Sequence, residues 1–171
     1  DGGVMACDKH FPGHGDTDAD CHKTLPTVNH SIEKIKAEDL KPYERLIPEG
    51  LASVMVAHLN IPSIDDKMPT SLSKKAVTDL LKNEYQFEGL VFTDALNMKG
   101  VSKFYKPGEV DAKALVAGND TLLFSEDVKK AKAEIEDAIR DSLITWPEIE
   151  NRVRKILRAK YWLGLNKKPK P

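Results

Sequence analysis

Fourteen residues, KHFPGHGDTDADCH from Lys9 to His22, hold three histidines and three alternating aspartates between breakers that forbid helix and strand alike. The types suit metal binding, a calcium loop or proton transfer. His10 and His14 are four apart, the helical spacing for two zinc ligands, but Pro12 and Gly13 lie between them and exclude that helix. Asp16, Asp18 and Asp20 match the first three ligand positions of a calcium loop, yet Cys21 stands where glycine is required and Thr27 where the bidentate glutamate belongs. A solvated turn, with aspartates bonding backbone amides, accounts for any one of these carboxylates but not for the whole cluster. Proton transfer remains. Asp20 and His22 flank one residue, so in an extended segment they share a side, and a carboxylate on one imidazole nitrogen fixes the tautomer and raises the basicity of the other.

A second reactive group stands in LVFTDALNMKG, where Asp94 is read as following an apolar strand directly. A carboxylate is costly there unless paired or used. Turn and cap roles compete for an isolated aspartate at such a place; beside the Lys9–His22 loop, the catalytic role is the better account.

Four apolar runs without alternation supply the elements that would position these groups: Val4–Cys7, Ser53–Ala57, Leu90–Thr93 and Thr121–Phe124. Such runs suit strands buried on both faces. A helical pattern follows each. Ser31 caps the first and Gly50 stops it; Val77, Leu80, Leu81 and Tyr85 share a face of the second; GEVDAKALVAG is a weaker third, SEDVKKAKAEIEDAIRDSL an amphipathic fourth. A last helix runs from Pro147 to near Gly164, with residues 165–171, ending in NKKPKP, as a tail or linker. Strand, loop and helix recurring four times predicts a parallel α/β sheet. GHGDTD lacks the third glycine of a dinucleotide fingerprint, so a (β/α)8 barrel is preferred to a doubly wound nucleotide fold. A full barrel takes about 250 residues; the 171 residues here would be its C-terminal half, with the other half upstream. In such a barrel the loops after the strands build the site, which would place Lys9 and His10 at a strand's end facing into it.

Composition bounds the rest. Forty per cent hydrophobic residues can build one core, and 26 Lys plus Arg against 27 Asp plus Glu leave no basic, aromatic-interleaved block of the kind that binds nucleic acid. No apolar run is long enough for a membrane helix. Cys7 and Cys21 form no C-x-x-C pair and are read as free thiols, a usage equally ordinary in the cytoplasm and the periplasm.

Taken together, KHFPGHGDTDADCHKTLP, VMVAHLNIPSIDDKMPTSLS and FEGLVFTDALNMKGV, in this order and separation, resemble the family 3 glycoside hydrolases, in particular the bacterial β-N-acetylglucosaminidase branch. The similarity runs from about Val4 to Gly164. It implies that residues 1–164 hold strands five to eight of the barrel. It further implies that Asp94 is the nucleophile of a retaining reaction, His22 the general acid/base, Asp20 its orienting partner, and Lys9 and His10 ligands of sugar hydroxyls. No cofactor or metal is implied. The partners would be a carbohydrate substrate, either peptidoglycan fragments or chitooligosaccharides, and the upstream half of the same barrel. β-Glucosidase or glycoside phosphorylase activity on the same site, and a non-catalytic carbohydrate-binding module, are the alternatives. His58, after the second strand, is either a pocket residue or a packed structural one; Met98 is expected beneath the nucleophile loop, and Trp146 and Trp162 in core or interface packing.

Overall fold

The computed structural model describes residues 3–15 and 25–167. Four strands, β1 (Cys7–Phe11), β2 (Ser53–Val56), β3 (Leu90–Ala95) and β4 (Thr121–Leu123), form one sheet in the order β1-β2-β3-β4, every pair parallel. Helices α1 (Ile32–Ala37), α2 (Lys41–Leu46), α3 (Lys75–Glu84), α4 (Lys99–Ser102), α5 (Glu109–Ala117), α6 (Val128–Arg140) and α7 (Trp146–Trp162) make up the rest, with one 3-10 turn at Thr70–Leu72. Sequential strands that are parallel neighbours, joined by helical crossovers, are the construction of a (β/α)8 barrel wall.

Three strand boundaries correct the reading from apolar runs. The first strand is Cys7–Phe11 and not Val4–Cys7, so Lys9 and His10 lie within it; Val4 is 82 % exposed. Asp94 also lies within its strand, since β3 continues to Ala95. The fourth ends at Leu123, with Phe124 already in the left-handed region at φ 55°.

The pleat divides the sheet into two unlike faces. Val54, Val56 and Val91 are fully buried and pack with Ile35, Leu40, Tyr43, Val77 and Leu81 in the main core, beneath the helices. Register places Lys9 beside Met55, Met55 beside Phe92, and Phe92 beside Thr121, a row on the opposite face in which Lys9 is exposed and the others half-buried.

Local chemistry fixes the helices. Ser31 caps α1, its side chain accepting from the Lys34 N–H, and the continuous pattern through Gly50 breaks into α1 and α2, with Pro42 in the first turn of the second. α3 buries Ala76, Val77, Leu80 and Leu81 and is a wide π-type helix along its ten residues. α7 opens with a capping box between Thr145 and Glu148. Trp146 and Trp162 are exposed, which corrects the expectation of core packing within this chain. Among the described residues no helix is long and apolar enough to cross a membrane.

Candidate active site

The C-terminal ends of β1, β2 and β3 carry the reactive groups. The Asp94 carboxylate, 19 % exposed, lies with its Oδ2 3.6 Å from His10 Nε2. That separation exceeds a hydrogen bond but couples the two electrostatically. The other carboxylate oxygen, Oδ1, accepts the Ala95 backbone N–H at 2.8 Å. One oxygen is thus held by its own chain while the other faces His10. Burial pushes the His10 imidazole below its ordinary pKa, opposed by the charge of Asp94 and reinforced by Lys9 and then His14, whose ring lies 5.8 Å from that of His10. His10 is therefore a neutral hydrogen-bonding group near neutral pH.

His58 joins this group from the segment after β2. Its ring is 1 % exposed; Nε2 donates to the Ala95 carbonyl at 3.0 Å, and Nδ1 accepts the Ser71 hydroxyl at 2.6 Å. The carbonyl of Ala95 cannot donate, so the proton sits on Nε2. Burial lowers the His58 pKa, the Ala95 hydrogen bond and the Asp94 charge acting the other way. Met98 is buried where expected, its N–H donating to the same Ala95 carbonyl at 3.0 Å.

Asp20 and His22 lie outside the described residues; the described chain on either side of them is closely held, at Gly13 and at Pro26 and Val28. At the outgoing end a Cβ on Gly13 would sit 2.5 Å from Asp39 Oδ1, so only glycine lets the backbone pass that carboxylate. At the returning end Asn60 N–H donates to Pro26 and Val28 N–H to Asn60, at 2.8 and 2.9 Å, just beyond β2.

Lys9, His10 and Asp94 are thus gathered at one end of the sheet. What the sequence alone could not show was the bond from His58 to Ala95, or the role of Ser71, which lies 13 residues from His58 through irregular chain. Among the described residues no three His, Cys, Asp or Glu side chains are placed to hold a metal ion; Cys7 is an exposed free thiol.

A parallel α/β wall with a carboxylate and histidines at its strand ends has the design of a barrel hydrolase. Comparison with known proteins makes this specific. Residues 1–159 match the glycosyl hydrolase family 3 N terminal domain, and the chain belongs to that family. A beta-hexosaminidase of Idiomarina loihiensis is 37 % identical, the match covering 91 % of this chain and 46 % of that protein. Beta-hexosaminidase A of Pseudoalteromonas piscicida is 32 % identical over 92 % of this chain and 30 % of its own length. The chain therefore spans less than half of these curated relatives. Among solved structures, a family 3 beta-N-acetylglucosaminidase from Paenibacillus superposes with a TM-score of 0.92 at 36 % identity, covering 99 % of this chain and 33 % of that one. The beta-glucoside phosphorylase BglX superposes with a TM-score of 0.89 at 27 % identity, over 98 % of this chain and 32 % of its own.

Proposed function

We propose that the protein to which this chain belongs is a retaining glycoside hydrolase that releases terminal β-linked N-acetylglucosamine, and that these residues form strands five to eight of its catalytic barrel. One observation carries the reading: in a chain of this family, Asp94 sits at the C-terminal end of a central parallel strand with one oxygen bound by the Ala95 N–H and the other turned toward His10. The row Lys9, Met55, Phe92 and Thr121, exposed or half-buried where Val54, Val56 and Val91 on the other face are fully buried, supports the half-barrel reading as a wall whose interior the remaining strands would close.

In the reaction, Asp94 Oδ2 attacks the anomeric carbon as the bond to the leaving oxygen breaks, and His22, protonated and held by Asp20, gives that oxygen its proton. The product is a glycosyl ester on Asp94. His22, now neutral, takes a proton from water, whose oxygen attacks the same carbon and frees the carboxylate, so two inversions give retention. Lys9 and His10 bind ring hydroxyls and spread the charge that develops there. A histidine in place of the second carboxylate avoids placing two anions beside one glycosyl ester. Similarity to BglX favours one alternative, phosphate in place of water in the second step.

The test is the initial rate of the complete polypeptide on aryl β-N-acetylglucosaminide and aryl β-glucoside, with and without inorganic phosphate, each alongside His22→Ala. Strong preference for the N-acetylated substrate, no phosphate dependence and collapse of its turnover in the variant are expected. Preference for the glucoside, or an unaffected variant, overturns the assignment; turnover that requires phosphate selects the phosphorylase.

A further inference from the structure

We infer that His58 is a positioning residue for the nucleophile, acting through the peptide of Ala95; the inference rests on the role proposed for Asp94. Ala95 is tied at both ends. Its N–H holds Asp94 Oδ1 at 2.8 Å, and its carbonyl receives two donors, His58 Nε2 and the Met98 N–H, each at 3.0 Å. The N–H lies in the Asp94–Ala95 peptide and the carbonyl in the next, so holding the carbonyl restricts rotation at Ala95 and with it the direction of the N–H that pins Asp94 Oδ1. The Met98 N–H is part of the local turn and binds from the same chain segment. His58 fixes this peptide against the segment after β2, while the Leu96 N–H of the same peptide donates to the Leu123 carbonyl of β4 at 2.9 Å.

The imidazole is itself fixed from behind. Ser71 donates its hydroxyl to Nδ1, and the Ser71 carbonyl accepts from Asn119 Nδ2 at 2.8 Å, whose second bond goes to the Ala114 carbonyl at 2.7 Å. Ser71 and Asn119 are both fully buried. A continuous set of hydrogen bonds therefore runs from the end of α5 through Ser71 and His58 to the residue after Asp94. Burial alone requires both nitrogens to be bonded; it is the choice of partner, the carbonyl of the residue after Asp94, that ties the ring to the nucleophile. With Ser71 donating to Nδ1, the ring is kept as the Nε2–H tautomer, the form that can donate to Ala95. Removing the donor loosens the backbone at Ala95, so the N–H that pins Oδ1 shifts and carries Asp94 Oδ2 out of line with the anomeric carbon, for which an error of about 1 Å costs on the order of 10²-fold in rate.

Three variants of the complete polypeptide separate this role from simple packing. Glutamine reaches as far as Nε2 and keeps a donor for Ala95; asparagine reaches only to the Nδ1 position and cannot. His58→Asn is expected to lower kcat about 10²-fold with KM changed less than about threefold. His58→Gln should recover kcat to within about tenfold of the parent. Ser71→Ala, which removes the hydroxyl that fixes the ring, should lower kcat about tenfold at unchanged KM, and it serves where His58→Asn fails to fold. Equal losses in Asn and Gln, or parental kcat in Asn or in Ser71→Ala, overturn the role. A second readout is independent of turnover. In 15N-histidine-labelled protein at pH 7, the His58 ring is expected to show a protonated Nε2 and a bare Nδ1, and a protonated Nδ1 overturns the inference. If the parent hydrolyses no aryl glycoside while His58 shows the expected tautomer, the glycosidase reading fails and the geometry stands.

Discussion

Replacing Asp120 is predicted to loosen the base of the strand that carries the nucleophile. Its carboxylate, 1 % exposed, accepts the Val91 N–H at 2.9 Å, Lys155 Nζ at 2.6 Å and Lys82 Nζ at 3.1 Å, and so joins α3 and α7 to β3 three residues before Asp94. In Asp120→Ala the buried Val91 N–H loses its partner, at about 1–3 kcal/mol. Two ammonium groups also lose a counter-ion. Removing one side of a fully buried pair costs about 3–5 kcal/mol, but the two lysine side chains are 21 % and 20 % exposed and keep the carbonyls of Gly118 and Gly89 as acceptors. Their share falls to about 1–2 kcal/mol once water and those carbonyls compensate. The total is about 2–5 kcal/mol. Asp120→Asn keeps an acceptor for Val91 and should cost about half as much. In guanidinium unfolding of the complete polypeptide, with a slope of about 3–4 kcal/mol per molar, the alanine variant should unfold at a denaturant concentration lower by roughly 1 M. A loss below about 1 kcal/mol in the alanine variant, or equal losses in the two variants, would refute the view that this carboxylate holds the strand in place.

Three further outcomes are expected. Lys9→Ala should lower kcat/KM about 10–100-fold, as removal of a charged hydrogen bond does, with the unfolding midpoint little changed because Lys9 is exposed; parental kinetics would remove Lys9 from the sugar site. His58, whose pKa burial holds below 6.5, is neutral in the folded protein, while the unfolded chain takes up a proton as the pH falls through 6.5. Its contribution to stability is present above that pH and lost as the pH drops from 6.5 toward the lowered value, so the thermal midpoint of the parent should fall more steeply below pH 6.5 than that of His58→Gln; parallel curves would contradict the assignment. Finally, the 171 residues expressed alone, with β1 and β4 each paired on one side among the described residues, should self-associate in light scattering and show little turnover, and an active monomer would count against the half-barrel reading.

The parallel α/β architecture was legible because SVMV, the LVFT of LVFTDA and TLL are mainly apolar runs, the first two largely buried, and the helices that follow have caps and faces written locally, as Ser31 and Val77, Leu80 and Leu81 illustrate. β1 was misplaced for a physical reason. In CDKHF a register shift between Lys9 and Phe11 sets Phe11 beside Val56 in the core and Lys9 beside Met55 on the other face, so polar residues interrupt the apolar signal and the neighbouring VMAC run looked more strand-like. The same effect shortened β3 in the reading, because Asp94 is a charged residue inside a strand. Asp94, Lys9 and His10 were candidates from type and position, and the structure places all three toward the C-terminal ends of β1 and β3. The Ser71–His58–Ala95 hydrogen bonds were not, since they link three segments through irregular chain where neither period nor motif constrains the pairing.

The central claim is that Asp94 forms a covalent bond with the sugar. The most direct measurement uses the complete polypeptide and a 5-fluoro-N-acetylglucosaminyl fluoride, whose electron-poor ring slows breakdown of the ester, followed by peptide mass spectrometry. The account predicts one added glycosyl residue on the peptide containing Asp94, and none after Asp94→Asn. A label on another residue, or turnover of the reagent with no adduct at any time, would contradict it.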